Sequence, residues 1–173
     1  MSVSVETYKL PPSIARSEEV QDQYCNHVAM KRSMGDTSCD MCRLTAGDWT
    51  PDDRIDELAL DLSAEYPDVA IIPNSFPYDA YDGQEIRKHH LLVPLGHVAS
   101  VQLLHTDVRA QFFELMVRSS EIYDLSMTRT PQNPTTSIPG HLHTHLMVGG
   151  SRITKFDYDQ TENRRVVMFE GKS

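Results

Sequence analysis

The sequence predicts an α+β fold, a mainly antiparallel sheet of about five strands with one long helix packed on a face. Three observations carry this. Apolar runs at residues 69–72 and 90–93 read as short buried strands, and the alternation His141-Leu142-His143-Thr144-His145-Leu146 reads as a strand with two chemically different faces. Between them, from Thr106, apolar residues recur at spacings of three and four, the period of a helix. Strands grouped around one helix are the pattern of an α+β domain.

The remaining elements follow in chain order. Residues 1–37 read as an extension of unknown function, with Ser17 placed to cap a helix from Glu18 toward Val28 after the breaker pair Pro11-Pro12. A polar turn at residues 34–38 leads into Cys39. A helix is expected over residues 52–65, with Ile55, Leu58 and Leu62 on one face, ending before Tyr66-Pro67. Asn74 to Tyr78 turns into an exposed loop at residues 79–88 that holds Gly83 and several charges. Pro94 and Gly96 stop the strand before them. Thr106 is the expected cap of the long helix, and Asp107 sits well at its positive end. A strand near residues 123–127 and a Pro/Asn/Thr-rich loop then deliver the chain to the histidines. Residues 165–169 are expected to add an edge strand.

Size and charge narrow the function. A chain of 173 residues, 39% hydrophobic, is long enough for one domain with a real core and too short for two of ordinary size. Its net charge of −9 argues against a surface that grips nucleic acid through phosphates, while leaving room for a local phosphate site. No stretch approaches the roughly 20 apolar residues of a membrane span, and the start Met-Ser-Val-Ser-Val-Glu lacks the regions of a signal peptide. A soluble, cytoplasmic protein with no membrane partner is therefore expected. The three cysteines cannot all pair within one chain, and Cys39-Asp40-Met41-Cys42 has a spacing that, in the cytosol, favours metal binding or redox work over a disulfide.

His141, His143 and His145 are the most informative residues. Alternation puts three imidazoles on one face, and imidazole is the side chain best suited to proton transfer, nucleophilic attack or metal ligation near neutral pH. Three uses fit the spacing: a catalytic metal site, nucleophilic attack on phosphorus, or a ligand pocket without catalysis. Separately, Cys39 and Cys42 can both reach one tetrahedral Zn²⁺, completed by two further ligands from His97, His141 or the local pair Cys25 and His27.

Four landmarks together carry a family resemblance. His-Leu-His-Thr-His-Leu-Met-Val at residues 141–148 is similar to the signature of the histidine-triad (HIT) family of nucleotide hydrolases and transferases, in which His-x-His-x-His precedes two apolar residues. Cys39-Asp40-Met41-Cys42 resembles the cysteine pair of many bacterial members. Asn74-Ser75-Phe76-Pro77-Tyr78 resembles their Asn-x-x-Pro segment. The run from His89 to Val98 resembles their His-x-Leu-Val-Ile-Pro-Lys-x-His-Val stretch, with Leu95 at the lysine position.

The resemblance implies a HIT-like domain over residues 38–173, an enzyme that binds a purine nucleotide or nucleotide conjugate, and a homodimer formed through the long helix, where Phe112, Phe113 and Met116 are apolar. It implies that His143 attacks the α-phosphorus and is transiently nucleotidylated, that His145 binds phosphate or orients the catalytic ring, and that Asn74 binds the ribose. Ser137 stands four residues ahead of His141 where the family serine stands three ahead: either Gly140 is inserted and Ser137 keeps the role of holding the leaving group and phosphate, or Ser137 occupies the family's glutamine position and that serine is missing. It further implies a structural zinc on Cys39, Cys42, His97 and His141. A nucleotide-binding protein with little turnover, or a metalloenzyme with the triad as zinc ligands, are the alternatives.

Overall fold

The computed structural model describes residues 14–46, 62–131, 138 and 140–153. It has the element order β1 (Ile14–Ala15), α1 (Glu18–Met34), α2 (Asp40–Thr45), β2 (Val69–Pro73), β3 (Ala80–Tyr81), β4 (Gln84–Pro94), a single 3-10 turn (Val101–Leu103), α3 (Thr106–Ser119), β5 (Leu125–Thr128) and β6 (Thr144–Arg152). All strand pairings are antiparallel, in one sheet ordered β1-β3-β4-β6-β5, with β2 also on β4. The α+β class is as expected, and the two-residue β1 is what takes the sheet to six strands.

The eleven-residue β4 is the axis of the sheet. Its first half pairs with β3 and its second half with β2 on one edge, while β6 runs along the other. Side chains alternate across this strand, and the two faces meet different partners. On one face Ile71, Leu92, Leu142 and Leu146 pack with Phe112 and Leu115 of α3. On the other, Ile72, Leu91 and Val93 pack against Met41 of α2. One face is thus core under the long helix. The other carries the histidines.

Ser17 caps α1 by accepting from the Val20 N–H at 3.4 Å, and Gly35 closes the helix in the left-handed conformation with φ 62°. The helix runs on beyond Val28 to Met34 because nothing before Gly35 breaks it. At α3 the cap is His105, without a side-chain cap bond, and Thr106 is the first helical residue, with Asp107 in the first turn as expected.

The segment 79–88 departs from its expected form as an exposed loop. It is a hairpin, β3 to β4, whose turn residues Asp82 and Gly83 both have positive φ, 50° and 76°. Asp-Gly is the dipeptide such a two-residue turn prefers, since both positions need φ above zero. Ala80 and Ile86 are buried accordingly. The expected edge strand at 165–169 lies outside the described residues, as do most of the 52–65 helix and Ser137, while residues 62–64 are helical.

Candidate functional site

His141 sits at a bend and His143 two residues on, both just before β6, and His145 lies within it, opposite Leu91 of β4. All three are buried, at 1, 6 and 5% exposure, which removes them from the class of chance surface histidines. They share one sheet face. Their ring partners divide them.

His141 turns its Nδ1 to the cysteine pair, 3.4 Å from Cys39 Sγ and 3.5 Å from Cys42 Sγ, and Cys42 Sγ is 3.1 Å from His97 Nδ1. One donor atom from each of the four residues lies within 4.8 Å of the others. Bond lengths for tetrahedral zinc with thiolate and imidazole ligands place neighbouring S and N atoms about 3.6 Å apart, so this set fits a metal with little adjustment. The second ring nitrogen supplies a further test. His141 Nε2–H donates to the Pro94 carbonyl at 3.0 Å, which leaves the Nδ1 lone pair facing the thiols, the tautomer a metal ligand needs. Burial raises the Cys42 thiol, with Cys39 adding to the shift, so a bound cation would act against both effects.

Cys25 and His27 are not in this group. Cys25 is exposed on α1 beside Gln21, and His27 bonds Asp40 at 3.1 Å. Lys31 bonds the other Asp40 oxygen at 2.7 Å, so the residue between the two cysteines ties α2 to α1.

His143 is arranged differently. Its Nδ1–H donates to the His141 carbonyl at 2.9 Å, so a neutral ring keeps its lone pair on Nε2. Burial holds its pKa below the usual histidine range, against the opposing effect of that carbonyl.

His145 is set by a residue that pattern reading did not assign to the site. The Tyr78 N–H donates to His89 Nδ1 at 2.9 Å, which puts the His89 proton on Nε2, 2.8 Å from His145 Nδ1. His145 therefore accepts at Nδ1 and carries its own proton on Nε2. Burial pushes it down to about 3, and the same cause holds His89 well below the usual range. Both rings are neutral. The signal for His89 was in the sequence as the His89-His90 doublet on an alternating strand: one ring had to face the triad and the other the core. His90 does the latter, bonding the Tyr123 hydroxyl at 2.6 Å.

Asn74 follows β2, and its amide nitrogen lies 3.1 Å from His89 Nε2 while its oxygen accepts from the Phe76 N–H at 3.0 Å. His143, His145, Asn74 and Tyr78 open on a cleft of about 640 Å³ between the sheet and α1–α2. That volume suits a nucleotide-sized ligand. Among the described residues, no helix is long and apolar enough to cross a membrane.

Comparison with known proteins returned structural likenesses alone. No protein-family model and no curated protein matches the chain. Solved structures similar to it include a hypothetical protein from Leishmania major, at TM-score 0.48 and 16% identity over 71% of this chain and 82% of that one. A HIT family hydrolase from Legionella pneumophila Philadelphia 1 aligns at TM-score 0.43 and 14% identity, over 68% of this chain and 96% of that one. A structure titled HTC1 aligns at 0.41 and 18%, over 82% and 79%.

Proposed function

We infer that this protein is a histidine-triad nucleotide hydrolase or nucleotidyl transferase that acts at an α-phosphate through a covalent nucleotidyl-His143 intermediate. The observation that carries the reading is the His143 Nδ1–H bond to the His141 carbonyl, which leaves an unprotonated Nε2 on a ring that lines the cleft. A phosphate ester is anionic, so its attacker should be neutral, and a buried imidazole locked in this tautomer meets that need. His143 Nε2 forms a bond to phosphorus as the bond to the leaving group breaks. Water or another acceptor then attacks the same phosphorus, and the N–P bond breaks to return the neutral ring.

His145 presents Nε2–H as a donor for a phosphate oxygen, held in that tautomer by His89. Asn74 is assigned to the ribose hydroxyls of a purine nucleotide, and Ser137 to the leaving group. Cys39, Cys42, His97 and His141 would hold a structural Zn²⁺, which when bound supplies rigidity to the start of the histidine run. The pairing of two copies is assigned to α3, where Phe113 and Val117 are exposed while Phe112 belongs to the core.

The test is direct. Purified protein is mixed with a purine nucleoside 5′-phosphoramidate, quenched and weighed intact by mass spectrometry. An adduct of one nucleotidyl group is expected on the unaltered chain and none on His143→Ala. A His143→Ala variant with undiminished turnover sinks the reading.

A further inference from the structure

We propose that Arg16 binds a second phosphate of the substrate, and so selects nucleotides whose attacked phosphorus is joined to a further phosphate over nucleotides with an uncharged leaving group. The proposal rests on the nucleotide reading above and names its substrate class: nucleoside diphosphates, polyphosphates and their conjugates.

Arg16 comes from the segment before α1 for which the sequence suggested no function. β1 is held to the sheet by its pairing with β3, and the Ser17 N–H donates to Asp79 at 2.6 Å, so the chain enters α1 at a defined place beside the histidines. There the Arg16 guanidinium lies over two rings, 4.6 Å from the Tyr24 centroid and 5.0 Å from the Tyr78 centroid. Its Nε donates to the Phe76 carbonyl at 3.1 Å and its Nη1 to the Gln21 side chain at 3.4 Å. Both acceptors are neutral. Among the described residues Arg16 makes no ion pair, and its Nη2 makes no hydrogen bond.

Tyr78 links this cation to the triad. On its other contacts it stacks on His145 at 5.3 Å and 25° and lies 4.5 Å from His89, and Arg16 lines the same cleft as His143 and His145. A guanidinium that is partly buried, fixed by aromatic faces and without a carboxylate partner is a costly arrangement unless an anion completes it. A guanidinium held beside neutral imidazoles favours an anionic ligand in the cleft. An attacked phosphate with an amine leaving group carries one negative charge. A phosphoric anhydride brings at least one more, within the reach of a planar fork that bonds phosphate oxygens in pairs.

The Arg16 end of the cleft is the one beside the histidines. At the other end, Lys31 is engaged by Asp40 and the Ser38 carbonyl, and Asp36 accepts from the Ser38 N–H. The cations there, Lys31, Arg32 and Arg43, stand among the carboxylates of Asp36 and Asp40, which offset them.

The experiment measures binding of adenosine and guanosine mono- and diphosphates to the full chain by calorimetry, for the unaltered protein, Arg16→Gln and Arg16→Lys. Arg16→Gln should weaken diphosphate binding by about 10- to 100-fold, the range of a lost charge-assisted bond, and monophosphate binding by less than about 3-fold. Arg16→Lys keeps the charge and should retain part of the diphosphate preference, which also serves if the Gln variant does not fold. Equal losses on both nucleotides would mean a structural or nucleoside-side role and overturn the proposal, as would unchanged affinities or no binding of any of the four by the unaltered protein. The His143 adduct is a separate readout: its absence with an intact Arg16 effect defeats only the covalent reading, and its presence with equal losses defeats only the Arg16 assignment.

Discussion

His89 Nε2 stands 2.8 Å from His145 Nδ1, and the two residues are 56 positions apart in the chain. The antiparallel register of β4 and β6, in which His89 lies opposite Met147 and Leu91 opposite His145, makes them diagonal neighbours on one face. Through this contact the backbone N–H of Tyr78 decides which nitrogen of His145 faces the cleft. Tautomer, rather than charge, is what the site controls.

His89→Ala should therefore impair turnover without removing the nucleophile. Freed of its donor, the His145 ring can reverse its tautomer or rotate, and misplacement of one group at a reacting centre costs about 100-fold in rate. The loss should fall on kcat more than on KM, and metal content should not change. His89→Gln, which can still donate an N–H, should recover part of the rate. Steady-state kinetics on the two variants decides this; an Ala variant with normal kcat would remove His89 from the site.

Acid should destabilise the fold through the same two rings. In the unfolded chain a histidine takes up its proton near pH 6.5, while His145 in the fold does so only at about 3 and His89 is likewise depressed. The unfolded state thus binds more protons over that interval, and stability falls as pH drops from 6.5. Each ring contributes a slope of up to about 1.4 kcal/mol per pH unit. Denaturant unfolding between pH 7 and 5 should show a shallower dependence for His89→Gln than for the unaltered chain. Parallel slopes would refute the account.

One zinc per chain is expected by elemental analysis, lost in Cys39→Ser and in His97→Ala but retained in Cys25→Ser and His27→Ala. The metal-deficient variants should also melt earlier. A deficit of even about 3 kcal/mol lowers the Tm of a chain of this size by about 6–12 °C. Retention of metal in both Cys39→Ser and His97→Ala would discard the four-residue site.

Phe112 and Phe113 are adjacent on α3 and should behave as opposites. Phe112 is 1% exposed within the core, and truncation to Ala should cost about 3–5 kcal/mol. Phe113 is 42% exposed, and its truncation should leave folding stability within about 0.5 kcal/mol. If α3 joins two copies, Phe113→Ala should instead raise the dissociation constant of the dimer, read by sedimentation at several concentrations.

Short-range patterns made much of this legible. Alternation placed the histidines on one face, the period from Thr106 announced α3, and Cys39 and Cys42 at i and i+3 on and before α2 announced a pair of donors. The hairpin at Asp82-Gly83 was legible too, through a dipeptide whose backbone preference is strong, but the charges around it read as loop. What pattern could not reach were contacts between distant segments. Arg16 lies beside Tyr78 because β1 pairs with β3, and no local signal in a two-residue strand announces its partner.

The sequence by itself determined which chemical groups are present and which face each one takes, because those follow from bond geometry repeated every two or 3.6 residues. It also limited the partners of Cys39 and Cys42 at a metal to His97, His141, Cys25 and His27. Only the tertiary structure decided that the His141 Nδ1 faces both thiols, that His89 joins His145, and that the segment ahead of α1 brings a cation to the cleft. These depend on strand register and on hydrogen bonds between residues tens of positions apart. A periodic pattern says which way a side chain points; the packing of the whole chain says what it meets there.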